Sequence, residues 1–239
     1  MNQLSSVPAA MVLAVAATAC VAAADVTVHS TSELRSAIAG AGPGTTIRIA
    51  AGEYAGGMHF QGVSGTAEAR IVIRGADPEH PPVFTGSAQA LHLADCNYIT
   101  LADFIVDGCT ANGLNCDDGG SFATPMHHLV VENVTITHVG PRGNRDGLKM
   151  SGVDQFIIRN CRFVGWGGSG IDMVGCHHGV VEDCYFHGLD VERRRHAIEL
   201  GDAIVATFEA TRADAEAESA RRLEEARRLA ASAAEARAA

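Results

Sequence analysis

A short pattern recurs four times along the chain, and it constrains the fold more than any other feature of the sequence. The copies are YITLADFIV, HLVVENVTI, FIIRNCRF and GVVEDCYF, each built around one polar anchor: Asp103, Asn133, Asn160 or Asp183. Apolar residues stand two before, one after and three after each anchor. The anchors are 30, 27 and 23 residues apart, a period that indicates stacked supersecondary units rather than one conventional globular core.

A further short strand is predicted before each anchor. These strands are ALHL at 90–93, GLNC at 113–116, GLKM at 147–150 and GIDM at 170–173. Each repeat therefore reads as a coil of three short strands, with turns at Gly, Asn and Asp.

The segment VTVHSTSELRSAIAGAGPGTTIRIAAGEY at 26–54 predicts a strand, a short helix with a Ser30-x-x-Glu33 capping box, a Pro-Gly turn and a first coil strand. With the repeats, it resembles the right-handed parallel β-helix of the pectate-lyase-like superfamily over residues 25–190. The resemblance implies an all-β fold, a right-handed parallel β-helix solenoid with a short N-terminal capping helix. The composition of the last residues adds a predicted C-terminal α-helical tail. Such folds serve lyases, hydrolases, esterases and adhesins, so the fold alone does not fix the chemistry.

Three segments are predicted: a signal peptide at 1–24, the β-helix at 25–202 and an Ala/Glu/Arg-rich helical tail at 203–239. The apolar stretch at 9–24 favours export with cleavage near Ala24. Because the residues before it include no Lys or Arg, a signal anchor and a lipoprotein cleaved before Cys20 remain alternatives. We expect a secreted, periplasmic or cell-surface protein.

The tail has three interpretations. It is a helix that caps the last coil or binds a partner, a solvated helix with a thin apolar face, or the end of a truncated or frame-shifted gene. The last interpretation would make the chain a fragment of a longer β-helix protein.

The formal net charge of −10 disfavours nucleic acid as a partner, and we expect a monomer that binds polysaccharide. Loss of the signal peptide leaves six of seven cysteines. A Cys161–Cys184 disulfide is within reach between neighbouring coils, but parallel Cβ vectors would strain it. Burial as reduced core residues is the favoured interpretation.

Chemistry is expected on the outward side chains of the first strand of each coil, because the inward ones fill the core. With Leu or Ile inward, alternation turns a column of polar side chains outward, about 4.8 Å apart: His92, Asn115, Lys149, Asp172 and Glu199. Two long turns, at 116–128 and 138–147, flank this column and would form the walls of a polar groove. The resemblance implies that such a groove holds a sugar chain.

For a polysaccharide lyase, Lys149 is the predicted base that removes the proton beside a uronate carboxylate, and Arg145 or Arg142 would neutralise that carboxylate. The alternative without catalysis is a cross-strand ion pair between Lys149 and Asp172 on a solvated face. Calcium is the candidate cofactor, and the candidate ligands are Asp117, Asp118, Asp146 and Asp172. The predicted substrate-binding residues are His92, Asn115, Trp166 and Asp172, although Trp166 could equally cover a coil edge.

Hydrolysis is disfavoured. GNRDGLKMSG at 143–152 resembles a polygalacturonase strand with Asp146 as the catalytic-site aspartate, but Gly168 and Ser169 stand where that family has an Asp-Asp pair. The histidine doublets at 127–128 and 177–178 are interpreted as polar turn residues. The rival to a lyase is a non-catalytic polysaccharide-binding or surface-structural module, or an inactive fragment of a longer enzyme.

Overall fold

The computed structural model describes residues 24–140 and 143–188, together with Arg221. The predicted signal peptide, apart from Ala24, and the predicted tail, apart from Arg221, lie outside the described residues. So do Arg142 and Glu199.

Within residues 24–140 and 143–188 there is one helix, α1 at Thr31–Ala39, and no helix there is long and apolar enough to cross a membrane. The strands are β1 Asp25–Val28, β2 Thr46–Ile49, β3 Glu53–Ala55, β4 Met58–Gln61, β5 Ile71–Gly75, β6 Val83–Thr85, β7 Leu91–Ala94, β8 Ile99–Ala102, β9 Ile105–Asp107, β10 Leu114–Asp117, β11 Met126–His127, β12 Val130–Glu132, β13 Thr135–Val139, β14 Leu148–Ser151, β15 Val153–Asp154, β16 Ile157–Arg159, β17 Arg162–Trp166, β18 Ile171–Val174, β19 Val180–Glu182 and β20 Tyr185–His187.

The strands form three long parallel sheets that the chain visits in turn over about five coils. One sheet runs β1-β2-β5-β8-β12-β16-β19, another runs β3-β6-β9-β13-β17-β20, and β11 pairs with β15 in a short extra sheet. The third, which we call the groove sheet, runs β4-β7-β10-β14-β18. The predicted parallel β-helix is therefore confirmed. The predicted first strands at 90–93, 113–116, 147–150 and 170–173 each begin and end one residue later in the structure.

The core is one continuous apolar cluster running along the axis of the coils. Leu91, Leu114 and Leu148 lie in register on neighbouring strands of the groove sheet, and each is at most 1% exposed. Because every second residue of a strand points to the same face, their burial turns the residues between them outward.

The predicted polar anchors lie in one turn column. Asp103, Asn133, Asn160 and Asp183 all have a left-handed backbone conformation, with φ between 51° and 58°. Asn133 Nδ2 donates to Asp103 Oδ1 at 2.9 Å, and Asn160 Nδ2 donates to Asn133 Oδ1 at 2.7 Å. Asn and Asp are the residues other than Gly that best tolerate this conformation, so the repeat marks the position where every coil turns.

Cys96, Cys109, Cys116 and Cys161 are buried, and all six cysteines in the described part of the chain are free thiols. Burial raises the pKa of Cys161 to about 12. The structure thus agrees with the interpretation of the cysteines as reduced core residues.

Candidate functional site

The outward face of the groove sheet carries a row of polar side chains in register. His59, His92, Asn115, Lys149 and Asp172 occupy equivalent positions on β4, β7, β10, β14 and β18. Neighbours in such a row are about 4.8 Å apart. The row is therefore a polar strip that runs parallel to the axis of the coils, as the sequence predicted for residues 92–172.

Lys149 and Asp172 form an ion pair across adjacent strands, with Nζ of Lys149 donating to Oδ2 of Asp172. Their side chains are 20% and 29% exposed, so the pair is partly shielded from water. An ammonium group has three donors and no free electron pair, so Lys149 cannot accept a proton while the pair lasts. The cross-strand ion pair that the sequence analysis gave as the alternative to a catalytic role is therefore present.

His92 is hydrogen-bonded to a carboxylate on the next strand. Its Nε2 lies 2.5 Å from Oδ2 of Asp117. Asn115 Nδ2 donates to the same oxygen at 3.0 Å, and the backbone N–H of Gly119 donates to Asp117 Oδ1 at 3.0 Å. Both oxygens of Asp117 are thus engaged by protein donors. Asp117, predicted as a calcium ligand, instead orients His92 and Asn115.

Two more of the predicted calcium ligands, Asp118 and Asp146, lie at opposite ends of β14. Asp146 precedes the strand, is 1% exposed, and accepts the backbone N–H of Ser169 at 2.8 Å. Asp118 is 6% exposed, accepts the N–H of Gly120 at 2.8 Å, and abuts Gly152 just after the strand. One oxygen of each carboxylate has no hydrogen-bond partner. Since the two groups are separated by the length of the strand, their free oxygens do not converge on one cation.

Within residues 24–140 and 143–188, no group of three or more His, Cys, Asp or Glu side chains is arranged to hold a metal ion. The carboxylates suggested as calcium ligands are therefore not gathered into one cluster among the described residues. Calcium binding itself stays a prediction.

Arg145 lies in the turn before β14, and Trp166 is the last residue of β17. Arg145 is exposed, and its Nη1 donates to the backbone oxygen of Asn144 at 3.4 Å. Among the described residues Asp172 forms its ion pair with Lys149 and none with Arg145. Trp166 packs partly against the core, with its ring centroid 6.3 Å from that of Phe186. These contacts support a coil-edge role for Trp166, and its role in substrate binding stays a prediction.

Two side chains of this face were not predicted from the sequence, one in the row and one beside it. His59 extends the row by one coil, and its ring stacks on His92 with centroids 4.2 Å apart and an interplanar angle of 8°. Alternation in MHFQ at 58–61 could have found it, but that coil has no copy of the anchor pattern. Phe122, in the turn after β10, is 76% exposed and its ring lies over Gly175 just after β18. Such an exposed aromatic face beside a polar strip is suited to stacking on a sugar ring.

The second histidine of each doublet lies in a turn, as predicted, whereas His127 ends strand β11 and His177 forms an isolated parallel bridge with Asp154. His128 and His178 have φ values of 57° and 51°, and Nδ1 of His178 lies 2.7 Å from Oδ1 of Asp154. Desolvation, together with His127 and Arg70, lowers the pKa of His128. These residues lie outside the polar row.

The row as a whole presents imidazole, amide and ammonium donors along one line, with carboxylates holding them in place. A linear ligand with oxygen acceptors at a regular spacing matches this arrangement. Groups of these kinds can bind carboxylates and hydroxyls and can transfer protons.

Comparison with known proteins adds four findings. A family model for a right-handed beta helix region matches residues 112–212, and no curated protein matches the chain. The crystal structure of an alginate lyase from Paenibacillus sp. str. FPU-7 is similar with a TM-score of 0.53 and 20% identity, over 68% of this chain and 66% of that one. The PL6 family alginate lyase AlyGC gives a TM-score of 0.49 and 17% identity, over 59% of this chain and 20% of that one.

The chain thus spans just under two thirds of the Paenibacillus enzyme's length, and at this level of identity the similarity concerns the fold. The match to the family model supplies the handedness that the strand pairing leaves open. The chain is a right-handed parallel β-helix protein with the pectate-lyase-like fold.

Proposed function

We propose that this protein is a polysaccharide lyase that cleaves uronate-containing polymers by β-elimination in the groove above β4, β7, β10, β14 and β18. The observation that carries the proposal is the row from His59 to Asp172, in which proton-transfer groups and a cation lie in register on one exposed face. The fold shared with the Paenibacillus alginate lyase supports a carbohydrate-active protein of this kind.

β-Elimination from a uronate needs two things from the protein. A base must remove the proton next to the carboxylate, and donors must stabilise the negative charge that then develops on the carboxylate oxygens. Lys149 and Arg145 were predicted for these two roles. In the structure Lys149 is ion-paired with Asp172, so it supplies positive charge directly and could act as a base only after the pair is broken.

The specific observation that favours the rival function is this same ion pair. A row whose charges are already matched can bind a sugar chain without reacting with it. A non-catalytic polysaccharide-binding module therefore remains the second candidate.

The test is to incubate the purified protein with alginate and with pectate and to follow the ultraviolet absorbance of the unsaturated uronate end that only elimination produces. We expect such product from at least one polymer, and a chelator added in a parallel reaction shows whether activity depends on calcium. Retention of the protein on an immobilised polymer with no absorbing product would support the binding module and contradict the lyase.

We also propose export, on the apolar stretch at 9–24. Sequencing the N-terminus of protein recovered from culture medium or periplasm should give a start near Ala24. An N-terminus at Met1 on protein confined to the cytoplasm would contradict export.

A further inference from the structure

We propose that His92, held by Asp117, is the proton acceptor of this lyase, and that Lys149 binds the carboxylate of a neighbouring sugar. The inference rests on the proposed function and assigns its chemistry to a different part of the groove from the one that the sequence suggested.

The orientation of the His92 ring is fixed from two directions. An ionised carboxylate is an acceptor only, so the hydrogen in the 2.5 Å contact between Nε2 and Asp117 Oδ2 belongs to the histidine. The stack on His59, at 4.2 Å, holds one face of the ring. This leaves Nδ1 of the neutral imidazole with a free electron pair, and Nδ1 makes no hydrogen bond to any other described residue.

Asp117 is itself held in place. Asn115 donates to Oδ2 and the N–H of Gly119 donates to Oδ1, each at 3.0 Å. The carboxylate cannot rotate without breaking three contacts. A base oriented by a carboxylate that is fixed in this way is an arrangement that enzymes use to keep an imidazole in its reactive tautomer.

The donors needed for the uronate carboxylate lie around the same ring. Asn115 uses one hydrogen of its amide on Asp117 and has a second available. His59 and Gln61 are exposed on the outward face of β4, and Gln61 and Asp117 are both in register with Ala94 on the strand between them. Amide and imidazole donors of these kinds stabilise developing negative charge.

Lys149 is too far away to serve the same sugar. It lies two strands from His92 in the row, about 9.6 Å by the inter-strand spacing. Its ammonium group is also drawn toward Asp172, on the side away from Asn115. Lys149 is therefore placed to contact the carboxylate of another sugar along the chain.

The reaction balances without a further reagent. His92 Nδ1 takes the proton from C5 of a 1,4-linked uronate, and the electrons of the C5–H bond pass into the carboxylate as an enolate. They then form the C4–C5 double bond while the C4–O4 bond breaks, with its electrons on O4. The proton held by His92 passes to O4, so the imidazole ends neutral and the products are a new hydroxyl and an unsaturated end.

The experiment measures kcat and KM on the cleaved polymer for His92→Ala, Asp117→Asn and Lys149→Met, with and without added imidazole. We expect His92→Ala to lower kcat by about 10²–10⁴-fold, the usual contribution of a positioned base, and imidazole to restore part of it. Asp117→Asn should lower kcat with KM within about threefold, because an amide can donate to Nε2 and favour the wrong tautomer. Lys149→Met should chiefly raise KM.

His80→Ala is the matched control. His80 Nδ1 lies 2.8 Å from Asp77 Oδ2 in an exposed pair, in the turn between β5 and β6 outside the groove sheet, so its loss should leave kcat and KM unchanged. A His92→Ala protein with kcat within threefold of wild type, or one whose lost activity imidazole does not restore, would overturn the inference while leaving the proposed function intact. A wild-type protein that makes no unsaturated product would overturn both.

Discussion

Gly152 is the residue at which the smallest possible addition should have a large effect. It follows β14 with φ at +63°, and a Cβ there would stand 2.2 Å from Oδ2 of buried Asp118. Any L-residue in this left-handed conformation costs about 1–2 kcal/mol, and the clash with a buried carboxylate adds to that. The turn is therefore tight because the Asp118 side chain fills the space beside it.

We predict that Gly152→Ala lowers the free energy of unfolding by clearly more than Gly62→Ala, measured by chemical denaturation. Gly62 is the matched control, because it follows β4 just as Gly152 follows β14. Its φ is +71°, and nothing lies within 4 Å of the added Cβ. Both variants bear the cost of the left-handed conformation, of about 1–2 kcal/mol, and only Gly152→Ala meets Asp118. Equal losses for the two variants would contradict the steric account, and a smaller loss in an Asp118→Ala background would support it.

Alternation along the strands made the row of outward residues predictable, and the pairing of Lys149 with Asp172 follows from register alone. The His92–Asp117 contact was not predictable, because it joins residues that are not direct partners in the register and depends on side-chain rotamers. The burial of Asp118 and Asp146 was missed for a related reason. Both lie in turns, where no period-two rule says which way a side chain points.

At the scale of elements, α1 covers the N-terminal end of the coil stack. Ser30 Oγ accepts the N–H of Glu33 at 3.2 Å, and Glu33 Oε2 accepts the N–H of His29 at 2.8 Å, so the predicted capping interaction is present in a shifted form. The helix buries Leu34 and Ile38 completely against the first coil. An open end of a solenoid exposes apolar core and unpaired strand edges. At the N-terminal end α1 covers the apolar core.

Leu34→Ala should lower the free energy of unfolding by about 2–5 kcal/mol, the usual cost of such a cavity. The reason is that Leu34 is 0% exposed and belongs to the common core. Arg35→Ala, one position further along the helix on its exposed side, should change stability by less than about 0.5 kcal/mol. A loss below 1 kcal/mol for Leu34→Ala, in urea denaturation followed by circular dichroism, would show that α1 is not part of the cooperative unit.

At the scale of the whole molecule, the core contains thiols that resist ionisation. Desolvation raises the pKa of Cys96 and Cys109 to about 11 and that of Cys161 to about 12, from 9.0. Below pH 9 the folded and unfolded chains both keep these protons. Between pH 9 and 11 the unfolded chain releases protons that the folded chain retains, so rising pH favours unfolding.

We therefore predict that the midpoint of thermal unfolding falls between pH 8 and pH 10 in the presence of a reductant, by an amount equivalent to about 1 kcal/mol per thiol at pH 10. The control is the double variant Cys96→Ala/Cys109→Ala, which should show a shallower decline over the same interval. An unchanged slope in that variant would mean that other groups cause the alkaline loss.

The turn column formed by the polar anchors repeats the same backbone geometry in every coil. Asn133 and Asn160 have φ values of 55° and 51° and stand directly above one another, with Val130 in register with Ile157 and Thr135 with Arg162. A chain in which Asn133 ran straight into Cys161 would rejoin at the same backbone geometry, one coil shorter, and would bring β10 against β18. The β-helix can thus be shortened or lengthened by whole coils, and the length of the groove sheet's outward face can change while His92 and Asp117 keep their positions.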